Sequence, residues 1–136
     1  MREDILIKHL KNLILENNSI KNAFIMGIDG LLISVMEEKE DNQIIAAIMA
    51  GVIDAAKRIE NRTPEALSIM VKDWKIIAIP LSETFLIVLI ASKDINSYSA
   101  IKLIDKYKQN ILSMIEKREF SDLFSYNPAE VEGLDI

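Results

Sequence analysis

Residues 67–91, "LSIMVKDWKIIAIPLSETFLIVLIA", hold three apolar runs separated by two-residue connectors. The runs are Ala66–Lys72, Lys75–Leu81 and Thr84–Ala91, with "DW" and "SE" between them. Connectors that short close only antiparallel hairpins, because a parallel return needs a crossover of about a dozen residues. In "TFLIVLIA" both alternating sets are apolar: Leu86, Val88 and Ile90 on one side, Phe85, Ile87 and Leu89 on the other. A strand with two apolar faces must be covered on both, so this run belongs in the centre of a sheet held between helices. "ALSIMVK" alternates instead, with Leu67, Ile69 and Val71 against Ala66, Ser68, Met70 and Lys72. That pattern suits a strand nearer an edge, where an apolar row is a pairing hazard unless something covers it.

Working outward, "AFIMGIDGLLISVM" (Ala23–Met36) gives two more short β-rich runs joined by Asp29-Gly30. Asp-Gly is the usual composition of a two-residue type I′ turn, in which both central residues take positive φ. Asp29 can also bond its own backbone, and nothing else in the sequence converges on its carboxylate. "AFIMGI" is apolar on both faces, which places it centrally as well. Three helices complete the order. Residues 3–17 carry Ile5, Leu6, Leu10, Leu13 and Ile14 on one stripe and end at "ENNS". A second helix runs from about Asn42 to Asn61, capped by Asp41 or Asn42 and stopped by Thr63-Pro64. A third spans roughly Ser97–Glu119, with Ile101, Leu103, Ile104, Tyr107, Ile111, Leu112 and Ile115 on its apolar side. The predicted order is α-β-β-α-β-β-β-α: an α+β fold with a five-stranded antiparallel sheet in an α/β/α sandwich.

The 136 residues suit one domain, assigned to 1–119, with an acidic, aromatic-containing tail at 120–136. Half the chain is hydrophobic, and four Gly and three Pro are too few for a disordered or fibrous protein. A net charge of -5 argues against a dedicated nucleic-acid binder. The absence of Cys removes disulfides, thiolate nucleophiles and Cys-bound zinc. "MREDILIKHL" has no features of a secretory signal. "IIAIPLSETFLIVLIA" is broken by Pro80, Ser82, Glu83 and Thr84, short of the roughly 20 apolar residues that cross a bilayer. The expectation is a soluble cytoplasmic domain without membrane insertion.

No catalytic constellation assembles. His9 is the only histidine, so a His-based metal cluster is excluded, and a solvated or capping role is expected for it. No Ser lies in G-x-S-x-G, and neither phosphate-cradling glycine motif is present. Glu37, Glu38, Glu40 and Asp41 lack EF-hand spacing and read as a solvated run leading a helix. Arg58 follows Asp54 by four residues, as a surface ion pair would, although Arg58 and Arg62 also suit contact with a phosphoryl-transfer partner. Trp74 at a hairpin tip marks a contact surface or folds back over the sheet.

The second helix is the most informative segment. Ile45, Ile48, Val52, Ala56 and Ile59 form the stripe expected to lie on a sheet. Ala47, Ala50, Gly51, Asp54 and Arg58 run around its side. Gly51 in mid-helix costs about 1 kcal/mol relative to Ala. The small residues fit either the domain's own core or a second helix arriving from another subunit.

The element order, "AFIMGIDGLLISV", the Ala-rich "NQIIAAIMAGVIDAAKRI" and the strands of 67–91 resemble the roadblock family, the dynein light-chain type with bacterial and archaeal relatives. The resemblance covers roughly Ile5 to Ile115, and profilin and longin folds share parts of that layout. It implies a homodimer paired through the second helix and the strand after it, placing Ala47, Ala50, Gly51 and Asp54 with Leu67, Ile69 and Val71 at the contact. It implies a non-enzymatic scaffold or regulator, without cofactor or metal, that binds a small Ras-like GTPase and modulates its nucleotide state or localisation. Asp54, Arg58, Arg62 and Trp74 are the candidate partner-binding residues. The alternative is a profilin- or longin-like sensor or adaptor that takes up a small ligand or peptide in an apolar pocket between the sheet and the first and third helices.

In the tail, Phe120, Phe124 and Tyr126 fall close together, and aromatics are costly to leave in water. Docking of the tail on the domain or on a partner is therefore expected. A docked tail resists limited proteolysis of the purified protein, and its rapid loss with no change in melting temperature rules docking out.

Overall fold

The computed structural model describes residues 2–59 and 61–124, with side chains for 6–12, 16–59 and 61–116. The elements are α1 (Arg2–Glu16), β1 (Ile20–Gly27), β2 (Leu32–Val35), α2 (Asp41–Ala56), β3 (Leu67–Val71), β4 (Trp74–Pro80), β5 (Phe85–Ser92) and α3 (Ser97–Phe124). All five strands join one sheet in the order β2-β1-β5-β4-β3, and every neighbouring pair is antiparallel. The α+β sandwich and the element order are as the sequence predicts. β5 is central with β1 beside it, and β3 is an edge.

The two faces of the sheet bury different residues. Leu6 and Leu10 of α1 and Ile104, Ile111 and Ile115 of α3 pack with Ile25, Ile77, Ile87 and Leu89. On the other face Ala46, Met49 and Ile53 of α2 pack with Phe24, Met26, Ala78, Leu86 and Val88. The apolar side predicted for α3 lies entirely on the first of these cores. At its far end α1 is tied to α3, where Glu16 accepts hydrogen bonds from the Tyr107 hydroxyl and from Lys106 Nζ. The Tyr107 bond is the main reason that the Glu16 carboxyl lies below its ordinary pKa, and the same bond raises Tyr107.

The α2 stripe differs from the predicted one. The buried positions are Asn42, Ala46, Met49 and Ile53, whereas Ile48 is 53% exposed and Ile59 71%. Ile45, Val52 and Ala56 are half-buried at the margin. The helix holds enough apolar residues for two stripes, and a polar residue at its start selects the buried one. Asn42 is not an N-cap but a buried partner of Asn22 in β1. Asn22 Nδ2 donates to Asn42 Oδ1 (3.3 Å) and to Glu37 O (3.2 Å), and Asn42 Nδ2 donates to Glu37 O (3.0 Å). Asn22 Oδ1 accepts from the backbone of Ala23 (2.9 Å) and Glu37 (3.1 Å). Glu40 occupies the N-cap without a side-chain cap bond.

Helix α2 ends at Ala56 rather than near Asn61. Its last bonds tighten to Arg58 N→Ala55 O and Ile59 N→Ala56 O, and Asn61 then takes positive φ (54°), a conformation Asn tolerates better than most residues. Helix α3 continues past Glu119 to Phe124, and residues 125–136 of the tail lie outside the described residues.

Two turns also differ. In the first hairpin only Gly30 has positive φ (93°), so the turn is not type I′. Gly30 N–H donates to Gly27 O (3.0 Å) and Gly27 N–H to Leu31 O (2.8 Å), a turn over Ile28-Asp29 closed by a left-handed glycine. Asp29 Oδ1 accepts the Leu31 N–H, as expected of a carboxylate that bonds its own backbone. In the second hairpin Val71 pairs directly with Trp74, so Lys72-Asp73 makes the turn and Trp74 begins β4. His9 is half-buried, and its Nδ1 is buried without a hydrogen-bond partner among the described residues.

Removing Asn22 leaves the Glu37 and Ala23 amides and the Asn42 side chain short of a partner. Asn22→Ala is expected to lower unfolding free energy by about 2 kcal/mol, and Asn42→Ala by about 1 kcal/mol. Urea unfolding measures both, and two values within experimental error of wild type would show that the network carries no stability.

Candidate functional site

A sheet of five strands at about 4.8 Å spacing is about 20 Å wide, while one helix with its side chains is about 11 Å across. Two helices, α1 and α3, suffice for one face; α2 alone cannot cover the other. The register shows where the shortfall lies. Asn22, Ile90, Ile76 and Ile69 form one row across four strands. The Asn22–Asn42 bond fixes the start of α2 over the β1 end of that row. Ile90, Ile76 and Ile69 continue from it to the β3 edge and are only half-buried. Val71 and Trp74, directly paired beyond them, are 49% and 45% exposed. Cross-strand partners share a face, so these residues with Leu67 form an apolar floor beside α2.

The bordering edge is unguarded. The five residues of β3, "LSIMV", contain no proline or charge, and among the described residues β3 pairs only with β4. An edge of that kind leaves a row of backbone groups ready to pair. The opposite edge, β2, is four residues long and bulged against β1, which blunts it.

Helix α2 presents two different flanks at about 3.6 residues per turn. Gln43, Ala47, Ala50 and Asp54 lie on one, and Ile45, Ile48 and Val52 on the other. The first flank meets the β1–β2 turn of its own chain: Gln43 Nε2 donates to Gly30 O (3.1 Å), and a Cβ on Gly30 would lie 3.6 Å from Ala50 Cβ and 3.9 Å from Ala47 Cα. Small residues here admit the buried Gly30. Ala47 is nevertheless exposed, Ala50 is half-buried, and Gly51 has nothing within 4 Å of where its Cβ would be. Asp54 is exposed and pairs with Arg58 (3.6 Å), both in solvent. Arg58 sits in the turn after α2, and Arg62 is also exposed. Leu67, Ile69, Val71 and Trp74 thus share the apolar floor, while Ala47, Ala50 and Asp54 stand on the helix flank that bears the β1–β2 turn.

Ile44, 60% exposed, and the floor residue Ile76 were not singled out from sequence, while Ile48, 53% exposed, and Ile90 were read only as positions packed within the domain. One signal was present: apolar residues at 44, 45, 48, 49, 52 and 53 are too many for one helix face. Among the described residues no group of three His, Cys, Asp or Glu is placed to hold a metal ion, and no helix is long and apolar enough to cross a membrane.

No protein-family model matches the sequence, and no curated protein matches it. Solved structures do match by shape. A structure of MglB with a tetrameric arrangement superposes with a TM-score of 0.75 at 10% identity, over 86% of this chain and 92% of that one. The Roadblock/LC7 domain from Streptomyces avermitilis gives 0.70 at 11%, over 79% and 94%. Profilin IA of Acanthamoeba castellanii gives 0.56 at 11%, over 78% and 95%. Superpositions of this quality at identities this low show a shared fold and no more.

With open space at Gly51, Gly51→Ala is expected to stabilise the chain by about 1 kcal/mol through helix propensity. Denaturation at two protein concentrations checks this. A concentration-dependent loss of stability would place another backbone against Gly51.

Proposed function

We propose, from the roadblock fold that this chain adopts, that it is a non-catalytic homodimeric scaffold or regulator for a small Ras-like GTPase. The observation that carries the first half is the unguarded β3 edge beside the apolar floor of Ile69, Ile76, Val71 and Trp74. A second copy supplies what that surface lacks. Its β3 pairs edge to edge, extending one sheet across both subunits, and its α2 covers floor that the first α2 leaves open. Ile48 and Val52 meet the partner on this reading with Gly51 above them, while Ala47, Ala50 and Asp54 stand on the opposite flank, which bears the β1–β2 turn. Self-assembly is in keeping with the tetrameric arrangement of the MglB structure that shares the fold.

The GTPase is what the roadblock resemblance implies. The paired α2 helices would present a joint surface rimmed by Asp54, Arg58 and Arg62, charged and exposed as residues at the polar rim of a protein contact are. The cytoplasm, where such GTPases work, is the proposed location.

Light scattering is expected to give twice the chain mass of 15.4 kDa, and Ile48→Glu with Val71→Glu is expected to give the monomer. Both side chains are exposed, so the double variant keeps its fold. A monomeric wild type removes the dimer. A dimer that neither binds GTPases of its own organism nor changes their nucleotide exchange or hydrolysis removes the regulatory role alone.

A further inference from the structure

On the other face of the sheet, β4 runs from Trp74 to Pro80, and at its Pro80 end a groove of about 420 Å³ opens between α3, the β4–β5 turn and the segment before β3. That volume lies within the range of sites that hold ligands. Its floor is apolar, made by the buried Ile79 and Leu81 and the half-buried Pro64 and Ile101. Among the described residues no α1 side chain lines it, whereas the pocket expected from sequence lay between the sheet and both helices. Its rim, among the described residues, carries Glu65, Glu83 and Asp105 against one cation, Lys108.

Each rim carboxylate comes from a different element, and all three residues are exposed. None makes an ion pair or a side-chain hydrogen bond with another described residue. They are also not grouped closely enough to hold a metal ion. Three unneutralised carboxylates spread around an apolar floor fit a ligand that carries more than one positive charge along an extended apolar chain. The protein's own tail does not fit: residues 120–136 hold Asp122, Glu130, Glu132 and Asp135 and no Lys or Arg. A second copy, with net charge -5, is opposed in the same way.

We propose that this groove docks an extended basic peptide segment of a partner protein. Lys or Arg side chains of the segment reach Glu65, Glu83 and Asp105, and an apolar side chain between them covers Pro64 and Ile101. Backbone groups and long aliphatic stems suit such a mixed site, since Lys and Arg bury their stems while the charged heads meet the rim. The groove lies on the α1–α3 face, so docking there uses residues other than those of the α2 face.

The test is selection of the full-length protein against a displayed library of short random peptides, followed by fluorescence-polarisation titration of the selected sequences. Enrichment of peptides that combine Lys or Arg with Leu, Ile or Val is expected. Their affinity should fall with added salt and drop about tenfold or more in Glu83→Lys with Asp105→Lys, because reversal puts like charges in contact. Should that variant fail to keep the wild-type melting temperature, Glu83→Gln with Asp105→Asn serves instead, with a smaller loss in the same direction. Selection of no peptide, of acidic peptides, of the tail sequence, or of peptides that bind both variants as well as wild type overturns the proposal.

Discussion

One helix is too narrow for one face of a five-stranded sheet, and the organisation of this protein follows from that mismatch. β5 is apolar on both sides and has to be covered twice. Two helices close the first face over a core that reaches from Leu6 to Ile115. Among the described residues the second face has only α2, and where α2 stands decides which part of the sheet it leaves open. It stands over β1 and β2 because Asn22 and Asn42 bond each other and share the Glu37 backbone. A polar pair nearly excluded from water has no comparable partner elsewhere along the row, where Ile90, Ile76 and Ile69 offer nothing to an amide. The buried amides therefore act as a register pin, and the open apolar floor at β3 is its consequence.

Much of the fold was legible in the sequence because strand placement depends on which faces are apolar, and that is written residue by residue. "TFLIVLIA" had to be central and "ALSIMVK" had to be near an edge, whatever packed on them. The buried face of α2 was not legible in the same way. Ile45, Ile48 and Val52 make as good an apolar stripe as Ala46, Met49 and Ile53, and larger side chains favour the first. The second is chosen by Asn42, whose partner Asn22 lies twenty positions away. Hydropathy gives such a residue no weight toward burial. Turn geometry failed for a related reason: Asp29-Gly30 favours a type I′ turn locally, but Gly30 must also fit beneath Ala47 and Ala50.

The small residues of α2 show how one sequence feature can answer to two causes. Ala47 and Ala50 admit the Gly30 turn within the chain, which accounts for two of the three small residues without any partner. Gly51 is left over, in open space at the middle of a helix where Ala would be more favourable. An interaction surface built from this helix has to explain Gly51 and the exposed Ile44 and Ile48 together, since all three lie outside the region that the chain's own core requires.

The sheet also separates two kinds of recognition. On the α2 side the unsatisfied groups are backbone amides at an edge and aliphatic side chains, whose natural complement is another edge and another apolar helix; a self-complementary surface of that sort favours a two-fold pair. On the α1–α3 side the unsatisfied groups are carboxylates around a concave floor, whose complement is cationic and cannot be a copy of this acidic chain. The two surfaces lie on opposite faces of the sheet and draw on different residues. A dimer formed through the first surface would carry two copies of the second, each outside the paired edges, and a partner with two basic segments would gain affinity from engaging both.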